Sequence, residues 1–403
     1  MNRKESFGRF TPVAAGAIIA ATGLLIAGPL DPPAGQVSPT YKTLSDVEPR
    51  IAINSTNTPG DADSLFRISQ PGSYYLTGNI EGVFGKAGIE VATSGVCIDL
   101  NGFSLIGQSG TTGVSPGTAG AITNIAIRNG VISGWFSGSG VSLVNATSVA
   151  LEDLSVVACG VGIAVGPSST VRNCRVRACP GDAISVGDNS VVRDCEAALN
   201  SSAGIRGGVN LLIEGCSITS SGAGVVCGGE GLIRNTTSRS NAGVGFQLGE
   251  RSTAEACTAT GNAGSGFAAG DGAAIRGCTA ANNGGVGIFA NNGSSIENNL
   301  TRANQQDGIY VNFSCAVIGN NCNGDGTAAG NHGAIRAIGQ ANRIDSNNIT
   351  YADRGLMIAS GGNTIIRNSV KGCTVNFDIV GGNDVGPVGS AATATSPWAN
   401  IQY

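Results

Sequence analysis

The only histidine of the chain, His332, lies seven residues after Asp325 in a polar, glycine-rich stretch, Asn323-Gly324-Asp325-Gly326 through Asn331-His332-Gly333. An imidazole and a carboxylate on one loop are the residue types of general acid–base chemistry, and loops on a rigid scaffold are where such groups are usually held. Asp325 and His332 are therefore the catalytic candidates. The plainer reading of the same stretch is a turn in which Asn, Asp and Gly satisfy local backbone geometry, with His332 on the surface. A second candidate region carries Asp61 and Asp63 in the turn Asn57-Thr58-Pro59-Gly60-Asp61-Ala62-Asp63, together with Trp135 at a later corner. Twelve cysteines are present, but none has a CxxC or Cys/His spacing suited to zinc, so neither a metal nor a cofactor is expected from them.

These residues are set in a repeat. From Cys159 to Ile309 the chain recurs every 21 residues, with an apolar column Ile163, Ile184, Ile205, Val225, Phe246, Phe267, Ile288, Ile309. Eight residues further along each unit runs a second column, Val171, Val192, Ile213, Ile233, Ala254, Ile275, Ile296. The apolar runs are short and alternate with polar residues, which is strand periodicity, and Gly, Ser and Asn clusters separate them as corners. A fixed period in the twenties without a helical half signals a parallel β-helix, each coil stacked on the next at roughly 4.8 Å. Stacking sets equivalent residues above one another. Asn200, Ser220, Asn241, Asn262, Asn283 and Asn304 then form a column able to hydrogen-bond along the stack. The column Arg172, Arg193, Glu214, Arg234, Glu255, Arg276, Glu297 reads as a solvated, charge-paired face.

The cysteines follow the same logic. Cys174, Cys195, Cys216, Cys257 and Cys278 share one inward column, where thiols act as small buried apolar groups and the parallel Cα–Cβ vectors suit bridging poorly. Should a bridge form, Cys159 with Cys179 or Cys315 with Cys322 would be the pairs.

Around the array the chain divides into an export segment over 1–35, an N-terminal cap with first strands over 36–88, β-helix repeats over 89–380 and a capping tail over 381–403. Arg3, Lys4 and Arg9 precede the apolar run Val13 to Gly28, the pattern of a signal peptide, with a retained N-terminal anchor as the alternative. No later segment is apolar enough to cross a bilayer. A brief helical turn is expected across Tyr41–Arg50, over the open first coil. Counting the first column from Ile89 gives about thirteen coils, and Trp398 and Tyr403 read as anchors of the tail on the last one. Net charge is −4 over 403 residues, with 12% of them charged, so there is no basic footprint for nucleic acid.

The unit Gly-Ile-x-Val with Val-Arg-Asn-Cys, as in Gly162-Ile163-Ala164-Val165 and Val171-Arg172-Asn173-Cys174, resembles the right-handed parallel β-helix repeats of the pectate-lyase-like superfamily. That group includes pectate lyases, polygalacturonases, alginate epimerases and many carbohydrate-binding proteins. More narrowly, Thr58 to Asp63, Pro71 to Asn79 and Ile98 to Phe103 resemble uncharacterised secreted bacterial β-helix proteins. The resemblance implies an all-β, single-stranded right-handed solenoid with capped ends. It does not carry an activity over. His332 is flanked by Asn331 and Gly333 where polygalacturonases have Gly-His-Gly, their other motifs are absent, and so is the Asp-Pro-His-Asp of the epimerases. The expected role is structural or carbohydrate-binding, at the cell surface, in the periplasm or outside the cell, with a polysaccharide as partner. The alternative is a lyase, epimerase or hydrolase acting on an acidic glycan; calcium enters only with a lyase.

Overall fold

The computed structural model describes residues 49–108, 111–117 and 121–403. The export segment over 1–35 and nearly all of the turn expected across Tyr41–Arg50 lie outside the described residues. From Ile51 onward the regular structure consists of short parallel strands, and no helix among the described residues is long and apolar enough to cross a membrane.

Each regular coil contributes three strands, illustrated by Ile184–Val186, Val191–Arg193 and Glu196–Ala198. Stacked coil on coil, these make three faces. The first face is a sheet of 15 strands, while the second and third belong to a 30-stranded sheet bent along one corner. Three residues suffice for a strand here because the next coil supplies the partner in register, Ile184 on Ile205 and Val192 on Ile213. The turns are equally economical. One left-handed residue makes each corner of this coil, Asn189 (φ 57°), Asp194 (φ 53°) and Leu199 (φ 59°). The residue after each of them, Ser190, Cys195 and Asn200, points inward and is buried.

Both expected apolar columns are present. The first runs unbroken in register through Ile163, Ile184, Ile205, Val225 and Phe246 to Phe267, Ile288 and Ile309. Phe246 stacks on Phe267 with centroids 4.8 Å apart and planes 6° from parallel, so even aromatic neighbours tolerate self-contact. The count of about thirteen coils is low: the first face has 15 strands, and its column begins one coil before Ile89, where Phe66 pairs with Ile89. The glycine that precedes most of these apolar residues, with Ala183 before Ile184 as an exception, answers to crowding. A Cβ at Gly266 would lie 2.6 Å from the Gly287 carbonyl oxygen and 2.9 Å from Asn283 Nδ2.

The polar column also exists, with one shift. Ser221, not Ser220, occupies it, since Ser221 N donates to Asn241 Oδ1 at 2.9 Å whereas Ser220 is the left-handed corner residue before it. That coil is one residue short, and the deletion falls after the corner, so counting back from Val225 misplaces the serine. From Asn241 the hydrogen bonds then pass along the stack, the Oδ1 of Asn262, Asn283 and Asn304 each accepting both the backbone N–H and the Nδ2 of the asparagine one coil before.

The cysteine column becomes a second such ladder. Cys278 N donates to Asn299 Oδ1 at 2.8 Å, and the ladder continues through Asn320, Asn347 and Asn368 to Asn400. Cys195 Sγ contacts the carbonyl 24 residues earlier, as Asn299 Nδ2 does, so thiol and amide fill one role. All twelve cysteines are free, ten of them buried. Cys315 and Cys322 cannot pair without moving backbone: Cys315 sits at a corner, where its N donates to Asn342 Oδ1, while Cys322 is the middle of a third-face strand, stacked between Thr301 and Ile349. The expectation for the tail also needs correction. Asn400, fully buried, anchors it by closing the second ladder, whereas Trp398 and Tyr403 stay half-exposed over the cations of Arg367 and Lys371.

Candidate functional site

The two loop candidates are sent to opposite sides of the wall. Gly324 (φ 64°) is a corner residue, and Asp325 takes the inward position after it, 21 residues beyond Asn304 in the same column. Its Oδ1 accepts from Asn304 N at 3.0 Å and Nδ2 at 2.8 Å, and its Oδ2 accepts from Thr301 Oγ1 at 2.7 Å. Asp325 thus terminates the asparagine ladder within the core. Burial pushes its carboxyl up to about 6, with a smaller push from the charge of Asp307. The extra residues of the irregular coil come after it, and they carry His332 out to the edge of the first face. There His332 Nδ1 lies 3.9 Å from Asp307 Oδ2.

Asp307 is the centre of this cluster. Its side chain is 4% exposed, and its Oδ1 accepts the Gly333 N–H at 2.7 Å. Arg336 Nη1 stands 3.8 Å from its Oδ2, too far for a hydrogen bond. Burial raises the Asp307 carboxyl, opposed by the Gly333 N–H and by the charges of Arg336 and His332. Arg336 belongs to the outward column of the first face, in which Tyr310 follows Phe289 and Arg336 follows Tyr310 in register. Phe289 and Tyr310 stack with centroids 5.4 Å apart, and the Arg336 guanidinium carbon lies 5.3 Å from the Tyr310 ring. Further back the same column holds Gln247 and Ala268, so the aromatic pair and the arginine begin abruptly. Two polar atoms at this edge, His332 Nδ1 and Arg336 Nε, are buried without a hydrogen-bond partner.

Sequence reading missed Asp307, Arg336 and Tyr310, yet a signal existed. Within the regular array, the column two residues before the apolar position is small or apolar apart from Asp182 and Asp307. Each precedes by one coil an arginine just past the apolar position, Arg206 and Arg336 respectively. The other early candidates do not assemble a site. Asp61 Oδ1 accepts from Asp63 N and from both the backbone and hydroxyl of Ser64, closing a turn. Trp135 is fully buried in a corner lined by Gly107 and Gly113. A groove of about 720 Å³ crosses the corner between the second and third faces, but its charges are solvent-exposed, with Arg175 3.7 Å from Glu196. The outward column of the second face is charge-paired as expected, Glu214 lying 3.1 Å from Arg193 and 2.8 Å from Arg234.

Among curated proteins no sequence matches the chain. Solved structures with a similar course include the A-module of an Azotobacter vinelandii mannuronan C-5 epimerase, at 15% identity, covering 83% of this chain and 91% of that one, with a TM-score of 0.47. Tailspike protein 3 of bacteriophage CBA120 is 13% identical, over 95% of this chain and 71% of that one, TM-score 0.46. A tailspike protein variant of E. coli bacteriophage HK620 is also 13% identical, over 92% and 81%, TM-score 0.45. The sequence itself matches the family described as the right handed beta helix region over residues 76–210 and 201–323. With the coils of the structure continuing that match on both sides, the chain belongs to the right-handed β-helix family.

Proposed function

We propose that this chain is an exported β-helix protein that binds a polysaccharide along the outward side of its first face, at the coils carrying Phe289, Tyr310 and Arg336. The observation that carries this reading is the change within one outward column from Gln247 and Ala268 to a stacked aromatic pair topped by an arginine. Aromatic faces supply apolar contact area to a ring, while the adjacent polar edges fix orientation. A ladder with a rung of roughly 4.8 Å also presents successive residues in a line, which suits an extended chain better than a compact ligand. The test is calorimetric titration with oligosaccharides cut from neutral and acidic polysaccharides, using the wild-type chain and Phe289→Ala and Tyr310→Ala variants. Each substitution is expected to weaken binding about tenfold, the size of one lost stacking contact of about 1.4 kcal/mol. Affinities unchanged in both variants would remove the first face as the binding surface.

The arrangement of Asp307, His332 and Arg336 favours a second reading, in which the bound glycan is also processed. A buried carboxyl whose pKa is raised by burial, set beside an imidazole, brings together the two group types that proton transfer uses. Incubation with the same polymers, with and without calcium, would show chain shortening or epimerised residues in the wild type and their loss in Asp307→Asn. Products formed equally by both chains would take Asp307 out of the chemistry.

A further inference from the structure

The arginines of this chain divide by face. Among the described residues, every arginine but three stands within 4.0 Å of a carboxylate. The exceptions, Arg177, Arg239 and Arg302, share one outward column of the third face. Each is exposed and ends a strand, Arg175–Arg177, Thr237–Arg239 and Leu300–Arg302. Two neutral residues separate each from the next, Ala198 and Thr219 in one gap, Thr260 and Ala281 in the other. After Asn323 and Thr350 the column reaches Lys371, so its cations recur every third coil, roughly 14 Å apart. On the second face the stack sets a glutamate one rung from an arginine, as Glu214 stands between Arg193 and Arg234, and the charges close on each other. From Arg177 to Lys371 the third-face column holds no acid. The acids nearest the edge beyond it are taken, since Asp182, Asp307 and Asp353 face Arg206, Arg336 and Arg354 of the first face. A chain of net charge −4 thus keeps a line of uncompensated cations on one face.

The edge beyond this column, between the third face and the first, is apolar where folding does not require it. In the regular coils the residue after a third-face strand is left-handed, a conformation that glycine or asparagine adopts at least cost. Two of these residues are nevertheless Leu199 (φ 59°) and Tyr351 (φ 56°). Neither is buried in return, for they are 56% and 63% exposed. In the longer corners of the early coils, on the same edge, Phe84 follows the strand Ile80–Glu81 and Phe136 follows Thr123–Ser133. Their exposures are 79% and 61%. Apolar side chains held in water at the expense of backbone strain mark a surface that is covered in use. Two effects hold a protein on a lipid interface: apolar side chains that enter it, and cations at the level of the phosphates. This edge and the column beside it supply both, in parallel lines along the stack. A soluble polyanion would use the cations and leave the apolar edge in water.

We infer that the third face lies on an anionic phospholipid surface, with Arg177, Arg239, Arg302 and Lys371 against the headgroup phosphates and the apolar edge dipping between them. The outward side of the first face points another way, so this surface and the polysaccharide surface act independently.

The test is flotation of the full chain with neutral phosphatidylcholine vesicles and with vesicles in which part of that lipid is replaced by phosphatidylglycerol. The wild type should partition about tenfold or more in favour of the anionic vesicles. Arg177→Gln, Arg239→Gln and Arg302→Gln should each weaken that binding about fivefold, and the triple variant about a hundredfold. Arg193→Gln, on the charge-paired second face, should leave it unchanged. Phe84→Ser combined with Phe136→Ser should weaken binding to both kinds of vesicle, and thermal melts of every variant control for folding. Depth is read separately: with brominated phosphatidylcholine in the anionic vesicles, the indole of Phe84→Trp should be quenched. That of Val209→Trp, at the corner between the first and second faces, should not. Equal partition into neutral and anionic vesicles would overturn the inference, as would a charge preference surviving in the triple variant, equal quenching at both positions, or binding to neither vesicle. Tighter retention on soluble polyphosphate than on vesicles, untouched by the two serine substitutions, would reassign the face to a free polyanion and overturn the membrane contact.

Discussion

Asp325 carries a pH dependence of its own. Its folded carboxyl is pushed up to about 6 from an ordinary 3.8, so the folded state holds this proton more tightly than the unfolded chain does. The stabilising contribution is therefore fully present below about pH 4 and is lost as pH rises through about 6, a change on the order of 3 kcal/mol for a shift of about two units. Asp325→Asn removes the titrating group and restores the residue type of the four preceding positions that stack there, Asn241 to Asn304. Urea midpoints between pH 4 and 8 should fall with rising pH in the wild type and stay nearly level in the variant, which should be the more stable chain at pH 8. A variant less stable than wild type at pH 8 would show that the ionised carboxylate is favoured by its three donors. The residue scale is also where sequence reading was least secure. Asp325 and His332 look like partners because they are close along the chain, but a corner residue, Gly324, turns one inward before the insertion carries the other outward. Stepping 21 residues from Asn304 would have found Asp325 in the ladder; counting back from Ile335 crosses the insertion and misses it.

At the scale of the element, the unit of stability is the ladder more than the strand. A three-residue strand buries only one or two side chains, while each corner asparagine serves several backbone and amide groups in the adjacent coils. Asn283 Oδ1 accepts from Asn262 N and Nδ2, and its Nδ2 donates to Asn304 Oδ1 and to the Ala259 carbonyl. Asn283→Ala leaves buried donors unpaired on one side and a buried acceptor on the other, and should cost about 2–4 kcal/mol. Ala280→Gly, which removes only one buried methyl from the same coil, should cost less. Equal losses in chemical denaturation would mean that the ladder bonds contribute no more than packing. The elements were readable from sequence because β-helix stacking turns periodicity into contact: each residue of a column is its neighbour's partner in register, so the apolar columns translate directly into core. The third face was harder to read. Its inward column mixes Val176, Ala197, Ile218, Ser238, Ala259 and Thr301, and its polar members are satisfied by bonds such as Ser238 Oγ to the Gly245 carbonyl, which no apolar pattern reveals.

On the scale of the whole molecule, a solenoid that lengthens by adding coils must be stopped, and the faces of this one are stopped differently. At the start, the first-face strand Ser64–Ile68 is covered by Pro59, which bridges Phe66 in the antiparallel sense, and Arg67 N donates to the Thr58 carbonyl. At the far end the tail adds Asp384–Val385 to the second face and Asn400–Gln402 to the third, and Asn400 accepts the last ladder bonds from Asn368 N and Nδ2, both at 3.0 Å. The last first-face strand, Val375–Ile379, is paired only on its Arg354–Ile358 side among the described residues, so the tail protects two faces of three. An open parallel edge templates further strands, and two adjacent open faces with an unsatisfied ladder do so more strongly than one. Removing residues 382–403 should therefore convert a chain of defined mass into one that self-associates with rising concentration, as read by light scattering behind size-exclusion chromatography. Asn400→Ala in the full-length chain separates the contributions, since it deletes the ladder terminus but keeps the covering strands. If it behaves as wild type while the truncation associates, the strands do the capping. If both associate, the terminal asparagine is required for the tail to dock at all. A truncated chain that stays monodisperse would mean that the coil end needs no cover, and that the tail is held there for some other purpose.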